Sequence, residues 1–308
     1  MPIQGLEILQ SSASLRGQPS ALRKTPFLSK YIDTTTCIGC KACEVACQEW
    51  NDLPSVPTKQ TGTYQTIPSL HPQYWNLILF NEVEVEGNFE WLHRKDQCMH
   101  CADPGCLKAC PAPGAIVQYT NGTVDVNPEQ CIGCRLCETG CPFNVPRFSE
   151  KTGKMAKCTL CVDRTTVGLE PACVKSCPTG CLHFGTKEDM VAMGQERVAQ
   201  LKARGYAGAG LYDPPGVGGT NVVTVLKHAD RPEIYGLPAN PTVPATVRLS
   251  KGPLHWLGLA AMAGTILGLV GHYLRFGPRV GRKSASSSPP AEPPAAPSAP
   301  DASRRTDR

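Results

Sequence analysis

The sequence predicts an α+β chain. Two small cysteine-built modules interlock along it, a β-hairpin is inserted, and one C-terminal helix is long enough to cross a membrane. Three observations predict this. Seventeen cysteines in 308 residues fall largely into four groups with a shared spacing. Strand-forming runs lie between groups rather than within them. Past the last group, Gly252 to Leu274 holds 23 residues without a formal charge.

The groups are Cys37, Cys40, Cys43 and Cys47; Cys98, Cys101, Cys106 and Cys110; Cys131, Cys134, Cys137 and Cys141; and Cys158, Cys161, Cys173 and Cys177, with Cys181 left over. Cys-Ile-Gly-Cys occurs at both 37–40 and 131–134, an internal repeat that points to duplication of a small module. The spacing Cys-x2-Cys-x2-Cys lets one tight loop wrap a corner of an iron–sulfur cube. A fourth cysteine three residues on points away and ligates the neighbouring cube. A proline often follows it; Pro111, Pro142 and Pro178 stand there, and Gln48 replaces it in the first group. Gly39 and Gly133 allow backbone N–H groups to approach sulfide closely. Groups two and four lengthen one arc and keep the closing Cys-x3-Cys-Pro. Structural zinc would use separated Cys-x2-Cys knuckles, not three cysteines in seven residues followed by a fourth. Disulfides are not expected in a chain whose first thirty residues carry no signal-like apolar run.

These spacings predict four [4Fe–4S] clusters in two ferredoxin-like 2×[4Fe–4S] modules. Under the swap rule, Cys98, Cys101, Cys106 and Cys141 take one cluster, and Cys110, Cys131, Cys134 and Cys137 its neighbour. In the second module Cys37, Cys40, Cys43 and Cys177 take one, and Cys47, Cys158, Cys161 and Cys173 the other. The second module encloses the first in sequence, so the two interlock. Four such centres form an electron conduit, and the chain is expected to have no catalytic site of its own. Lys41, Arg135 and Lys157 stand beside ligands; each is either a charge that raises a cluster potential or a solvated surface charge. Cys181 reads as a small buried thiol rather than a ligand.

Between groups one and two, Trp75 to Phe80, then Val83 and Val85 alternating with glutamates, Gly87-Asn88, and Phe89 to Leu92 predict a β-hairpin. Asn121-Gly122 between strand formers predicts a second, tight one. Thr186 caps a predicted helix to Arg204 that ends at Gly205, with Val191, Val198 and Leu201 on one face. Dense Gly and Pro over 205–250 predict an extended surface segment.

The uncharged stretch would make a helix of roughly 35 Å, enough for a hydrocarbon core of about 30 Å. Ala260, Gly264 and Gly268 form a small-residue stripe that would let another helix pack closely. Arg275, Arg279, Arg282 and Lys283 follow it, against Arg248 and Lys251 before it, which predicts a cytoplasmic C-terminus and a cluster domain on the outer side. His255 and His272 lie in the span. The tail from Ser284 is Ser/Pro/Ala-rich and expected to be disordered. A net charge of +5 without an aromatic-interleaved basic stripe argues against nucleic-acid binding. The expected division is an N-terminal surface arm (1–30), a four-cluster domain (31–185; modules 31–60/142–185 and 90–141, insert 61–90), a helix with the extended segment (186–250), a membrane helix (252–274) and a basic flank with tail (275–308).

Cys37-Ile-Gly-Cys-Lys-Ala-Cys43 ending in Cys47-Gln-Glu-Trp-Asn-Asp52 resembles the iron–sulfur (beta) subunit of membrane-bound respiratory formate dehydrogenase. So do Arg94-Lys-Asp-Gln-Cys-Met-His-Cys101, Asp103-Pro-Gly-Cys-Leu-Lys-Ala-Cys-Pro111, Cys158-Thr-Leu-Cys-Val-Asp-Arg164 and Glu170-Pro-Ala-Cys-Val-Lys-Ser-Cys-Pro178. Leu201-Lys-Ala-Arg-Gly-Tyr206, Gly216-Val-Gly-Gly219 and His272-Tyr273 extend the resemblance over roughly 30–278. It implies three things: a molybdopterin catalytic (alpha) subunit with molybdenum or tungsten that oxidises formate, a membrane cytochrome b (gamma) subunit that reduces quinone, and an inner-membrane location with the cluster domain in the periplasm. The family's haem ligands lie on the membrane partner, so packing or a hydrogen bond is the expected role of His255 and His272. A membrane hydrogenase or another molybdoenzyme would use an equivalent subunit with a different donor.

Overall fold

Residues 6–13 and 26–277 are described in a computed structural model of the chain. β1 (Ile8–Ser11) and β2 (Leu28–Asp33) precede the first cysteine group, which leads into α1 (Ala42–Trp50). β3 (Asn76–Val85) and β4 (Asn88–Gln97) follow, then α2 (Gly105–Ala109), β5 (Ile116–Tyr119), β6 (Val124–Val126) and α3 (Leu136–Gly140). Next come β7 (Arg147–Ser149), β8 (Lys154–Ala156), α4 (Val162–Thr165) and α5 (Ala172–Lys175). β9 (Leu182–Thr186), α6 (Lys187–Ala203), β10 (Gly210–Tyr212), β11 (Val222–Leu226), α7 (Ala245–Lys251) and α8 (Pro253–Phe276) complete the order. One compact unit runs to Leu257 and a second begins at Gly258.

A four-stranded sheet of order β10-β11-β2-β9 forms the base of the first unit. β2 leads into the first cysteine group and β9 leaves the last, and the two pair antiparallel from Leu28↔Thr186 to Ile32↔Leu182. β11 pairs parallel to β2, and all five of its residues are buried. This corrects the expectation of an extended surface segment over 205–250. The run Val222-Val-Thr-Val-Leu226 does not alternate because both of its faces are covered, as in a parallel-sheet core. The surrounding Gly and Pro residues serve its turns. Tyr235, fully buried, closes over the same region.

The described part of the N-terminal arm also differs from expectation. β1 pairs with β5 in the sheet β1-β5-β6, with Leu9 and Ser12 buried. Residues 1–5 and 14–25 of the arm lie outside the described residues.

β3 and β4 form an antiparallel ribbon in unbroken register from Asn76↔Gln97 to Val85↔Asn88. Its turn residues Glu86 and Gly87 have φ of 52° and 79°, the doubly left-handed arrangement of a type I′ turn. The turn thus falls one residue earlier than Gly87-Asn88 suggested. The Asn121-Gly122 hairpin takes another form. Gly122 N–H donates to Tyr119 O and Gly122 alone has positive φ, so the turn is of the three-residue kind with a left-handed glycine.

α6 begins where its cap predicts: the Thr186 hydroxyl accepts from Asp189 N–H. Its inward face is Met190, Gly194 and Leu201, with Val198 half-buried; Val191 lies beside that face. Gly194 lets α6 pack closely on Leu211, whose side chain a Cβ would push aside.

Among the described residues, one helix, Trp256–Phe276, is long and apolar enough to cross a membrane. Ala260, Gly264 and Gly268 are exposed on it, and His272 lies 5.1 Å from the Phe276 ring. Arg279, Arg282, Lys283, the tail and the side chain of His255 lie outside the described residues.

Candidate metal centres

The two Cys-Ile-Gly-Cys loops repeat in conformation as well as sequence. Gly39 and Gly133 have φ of 67° and 71°, and Lys41 and Arg135 have φ of 61° and 63° before α1 and α3. His100, Leu160 and Cys161 adopt positive φ in the other two groups. Non-glycine residues reach this region at a cost, and their concentration on the cysteine loops marks strain held for a purpose. At Gly39 a Cβ would come within 2.7 Å of both His93 and Phe80, so a side chain is also sterically excluded.

Helices bring distant groups together. α1, carrying Cys43 and Cys47, packs on α5, carrying Cys173; the Ser176 hydroxyl just past α5 donates to Ala42 O at 3.3 Å. α2, with Cys106, packs on α3, with Cys137, so closely that a Cβ on Gly105 would strike Gly140 O.

Cys37, Cys40, Cys43 and Cys177 line one pocket, together with Cys181, Lys95 and His93. Cys110, Cys131, Cys134 and Cys137 line a second. The remaining thiols also gather. Burial and then Cys98, Cys141 and Cys106 push the Cys101 thiol well up. Burial, with Cys158, Cys173 and Cys161, pushes Cys47 up to about 12. Thiols held this high keep their protons unless a cation replaces them, which is what iron does. Among the described residues no His, Cys, Asp or Glu group converges on a single metal ion. Four thiols that line one pocket without converging on a single point fit a polynuclear cluster, whereas one zinc would draw its ligands to about 2.3 Å. The buried cysteines are also part of the core: Cys43, Cys101, Cys173 and Cys181 cluster with Ile32, Ile78, Leu92, Val222 and Leu226.

Of the three cations flagged in the sequence, two are surface groups. Lys41 donates to Tyr64 O and lies 5.3 Å from the Phe80 ring; the Arg135 side chain is 60% exposed and pairs with Glu138. Lys157 is buried and donates to Cys158 O at 3.0 Å. Sequence reasoning missed Lys30 and Lys95, also buried. The Lys30 ammonium donates to Cys173 Sγ and Gln97 Oε1, both at 3.1 Å. Burial alone would lower the Lys30 pKa; Cys173, Cys158 and Cys161 outweigh it and raise it. Lys95 and Lys157 are raised in the same way. No motif singles out Lys30 or Lys95.

Cys181 is buried, with its Sγ 3.4 Å from Cys177 Sγ. A hydrogen bond to Cys37 and burial both push its pKa up, so it stays a neutral thiol that donates to its neighbours.

Fold and thiols together define a multi-cluster iron–sulfur protein of the ferredoxin type. Family profiles described as 4Fe-4S dicluster domains match residues 36–115 and 89–187, and one described as formate dehydrogenase N, transmembrane, matches 243–283. The chain is 53% identical over 281 residues to the formate dehydrogenase-O iron-sulfur subunit of Escherichia coli (strain K12), covering 90% of this chain and 94% of that one. It is 55% identical over 252 residues to the nitrate-inducible formate dehydrogenase iron-sulfur subunit of the same organism, covering 82% and 86%. A more distant relative, the hydrogenase-2 operon protein HybA of Escherichia coli O157:H7, is 34% identical over 185 residues, 56% of each chain. The chain belongs to the iron–sulfur subunits of formate dehydrogenase. It carries four [4Fe–4S] clusters, and its apolar C-terminal helix anchors it to a membrane.

Proposed function

We infer that this chain relays electrons from a formate-oxidising catalytic subunit bearing molybdenum or tungsten to a membrane cytochrome b subunit and quinone. The observation that carries the reading is that thiols from separate segments meet at shared pockets, Cys37, Cys40, Cys43 and Cys177 at one and Cys110, Cys131, Cys134 and Cys137 at another. When bound, [4Fe–4S] clusters supply one-electron carriers at each position. The chain's residues hold them: Cys37, Cys40, Cys43 and Cys177; Cys47, Cys158, Cys161 and Cys173; Cys98, Cys101, Cys106 and Cys141; Cys110, Cys131, Cys134 and Cys137. The pairing of α1 with α5 and of α2 with α3 supports the nested arrangement of two interlocked modules, with β3–β4 as the insert. Buried walls keep water from the inner thiols, and buried lysines balance their charge.

The excess of basic residues after the span supports a periplasmic cluster domain and a cytoplasmic C-terminus. The stripe Ala260, Gly264 and Gly268 is the face offered to a helix of the membrane partner. Accessibility of a C-terminal tag to protease in intact spheroplasts tests the orientation: protection is expected, and cleavage from outside reverses it.

The complex, tagged on this chain and purified anaerobically from membranes, is expected to show bleaching of cluster absorbance and reduced-cluster paramagnetic signals on adding formate. The similarity to HybA makes hydrogen the necessary control. Reduction by hydrogen alone would keep the electron relay and replace its donor.

A further inference from the structure

Among the described residues, three lysines are buried in the cysteine-bearing unit: Lys30 at 1% exposure, Lys157 at 3% and Lys95 at 6%. A buried ammonium needs a nearby anion. Among the described residues none of the three pairs with a carboxylate. Asp125 acts on Lys157 only at longer range. Their counter-charges, once iron has displaced the thiol protons, are the ligand thiolates, and these are unevenly shared. Lys30 lies on β2, donates to Cys173 Sγ, and otherwise faces Cys158 and Cys161. Lys95 lies on β4 and faces Cys43, Cys173 and Cys47. Lys157 precedes Cys158 and faces Cys98, Cys106 and Cys158. The set Cys47, Cys158, Cys161 and Cys173 therefore has two buried ammonium groups hydrogen-bonded to its ligands, Lys30 on the Cys173 sulfur and Lys157 on the Cys158 carbonyl oxygen. Lys95 lines the pocket of the Cys37 set, and Lys157 also acts on Cys98. The set around Cys137 has the half-buried Lys154 on the Cys131 carbonyl oxygen, with Glu138 beside it.

Reduction adds one electron, hence one negative charge, to a cluster. A fixed positive charge in a low-dielectric interior stabilises that state and raises the reduction potential. We propose that the cluster held by Cys47, Cys158, Cys161 and Cys173 has the highest potential of the four, set by Lys30 on the sulfur of Cys173 and Lys157 on the carbonyl oxygen of Cys158. It is the first to fill and the place where an electron rests between donor and acceptor. Lys30, which serves this cluster alone, is its specific positioning residue. The inference rests on the thiol assignment proposed above.

The test is a redox titration followed by electron paramagnetic resonance on the intact complex, with iron measured in every variant. Cys47→Ser and Cys158→Ser identify the signal by its loss. Lys30→Met, with Lys30→Gln as a polar neutral control, is expected to move that signal alone to lower potential with iron retained. Lys30→Arg is expected to hold it. Lys95→Met is expected to lower the signal of the Cys37 set, and Lys157→Met to lower the highest-potential signal together with that of the Cys98 set. If Lys30→Met and Lys30→Gln keep their iron and leave all four potentials unchanged, the inference is overturned and the thiol assignment stands. If the signal shifted by Lys30 survives both cysteine variants, the assignment fails and the proposal falls with it. A highest-potential signal that Cys47→Ser and Cys158→Ser both spare also overturns the proposal.

Discussion

The ammonium of Lys30 lies 3.1 Å from the sulfur of Cys173, across 143 residues of sequence. β2 supplies the lysine and α5 the cysteine, so the contact exists only once the first and last cysteine groups have come together. Burial would raise the Cys173 thiol, but Lys30 and Lys95 outweigh it and bring it below its ordinary value. Lys30 thus eases the loss of the Cys173 proton to incoming iron.

Replacing Cys173 should therefore do two kinds of damage. Cys173→Ala is expected to lose about a quarter of the bound iron, one cluster of four. It also strands a buried ammonium, a change that typically costs about 3–5 kcal/mol. Cys40 is exposed, and its loss should remove the same quantity of iron with a smaller drop in melting temperature. Equal drops in the two variants would show that Lys30 is not balanced by Cys173.

The nested thiol sets predict non-additive iron loss. Cys110 belongs to the second group and Cys131 to the third, yet they line one cavity. Cys110→Ser, Cys131→Ser and the double variant should each lose about a quarter of the iron. Iron analysis giving about half for the double variant would place the two cysteines on different clusters.

Gly105→Ala should disturb two clusters at once. Its Cβ would collide with the backbone oxygen of Gly140, forcing α2 and α3 apart while Cys106 and Cys137 ride on them. Overpacking of this kind costs about 1–3 kcal/mol. Broadening of two cluster signals in the paramagnetic spectrum, with the other two unchanged, is the expected readout.

Cys181→Ala should retain all the iron. The thiol touches Cys177 and Cys37 as a neutral hydrogen-bond donor, so its removal alters the surroundings of one cluster without taking away a ligand. Iron analysis showing a missing cluster would make Cys181 a ligand instead.

What could be read from the sequence was local. Ligand spacing, the repeated Cys-Ile-Gly-Cys loop, the Thr186 cap and the uncharged span each lie within a short stretch of chain, where geometry follows from a few adjacent residues. The proposed thiol sets rest on the same local rule, since the loop that presents three cysteines also dictates where its fourth must point. The run Val222 to Leu226 did carry a signal: it is β-branched and apolar but for Thr224, with no polar alternation, as a strand covered on both faces would be. The Gly and Pro residues around it hid that signal.

Other features depend on which strands meet. β11 becomes central because it pairs with β2, almost two hundred residues earlier in the chain. That pairing, with β9 on the other edge of β2, is what closes Lys30 away from water. A lysine in a short alternating strand reads as a solvent-facing residue, because strand periodicity says which side chains share a face but not what covers that face. Lys95 follows the same logic on β4, and so does the turn of Cys181 towards two other thiols. The sequence by itself determined that this chain wraps four iron–sulfur clusters. Only the tertiary structure decided where the buried charges stand among them, because burial is a property of neighbours brought from far along the chain.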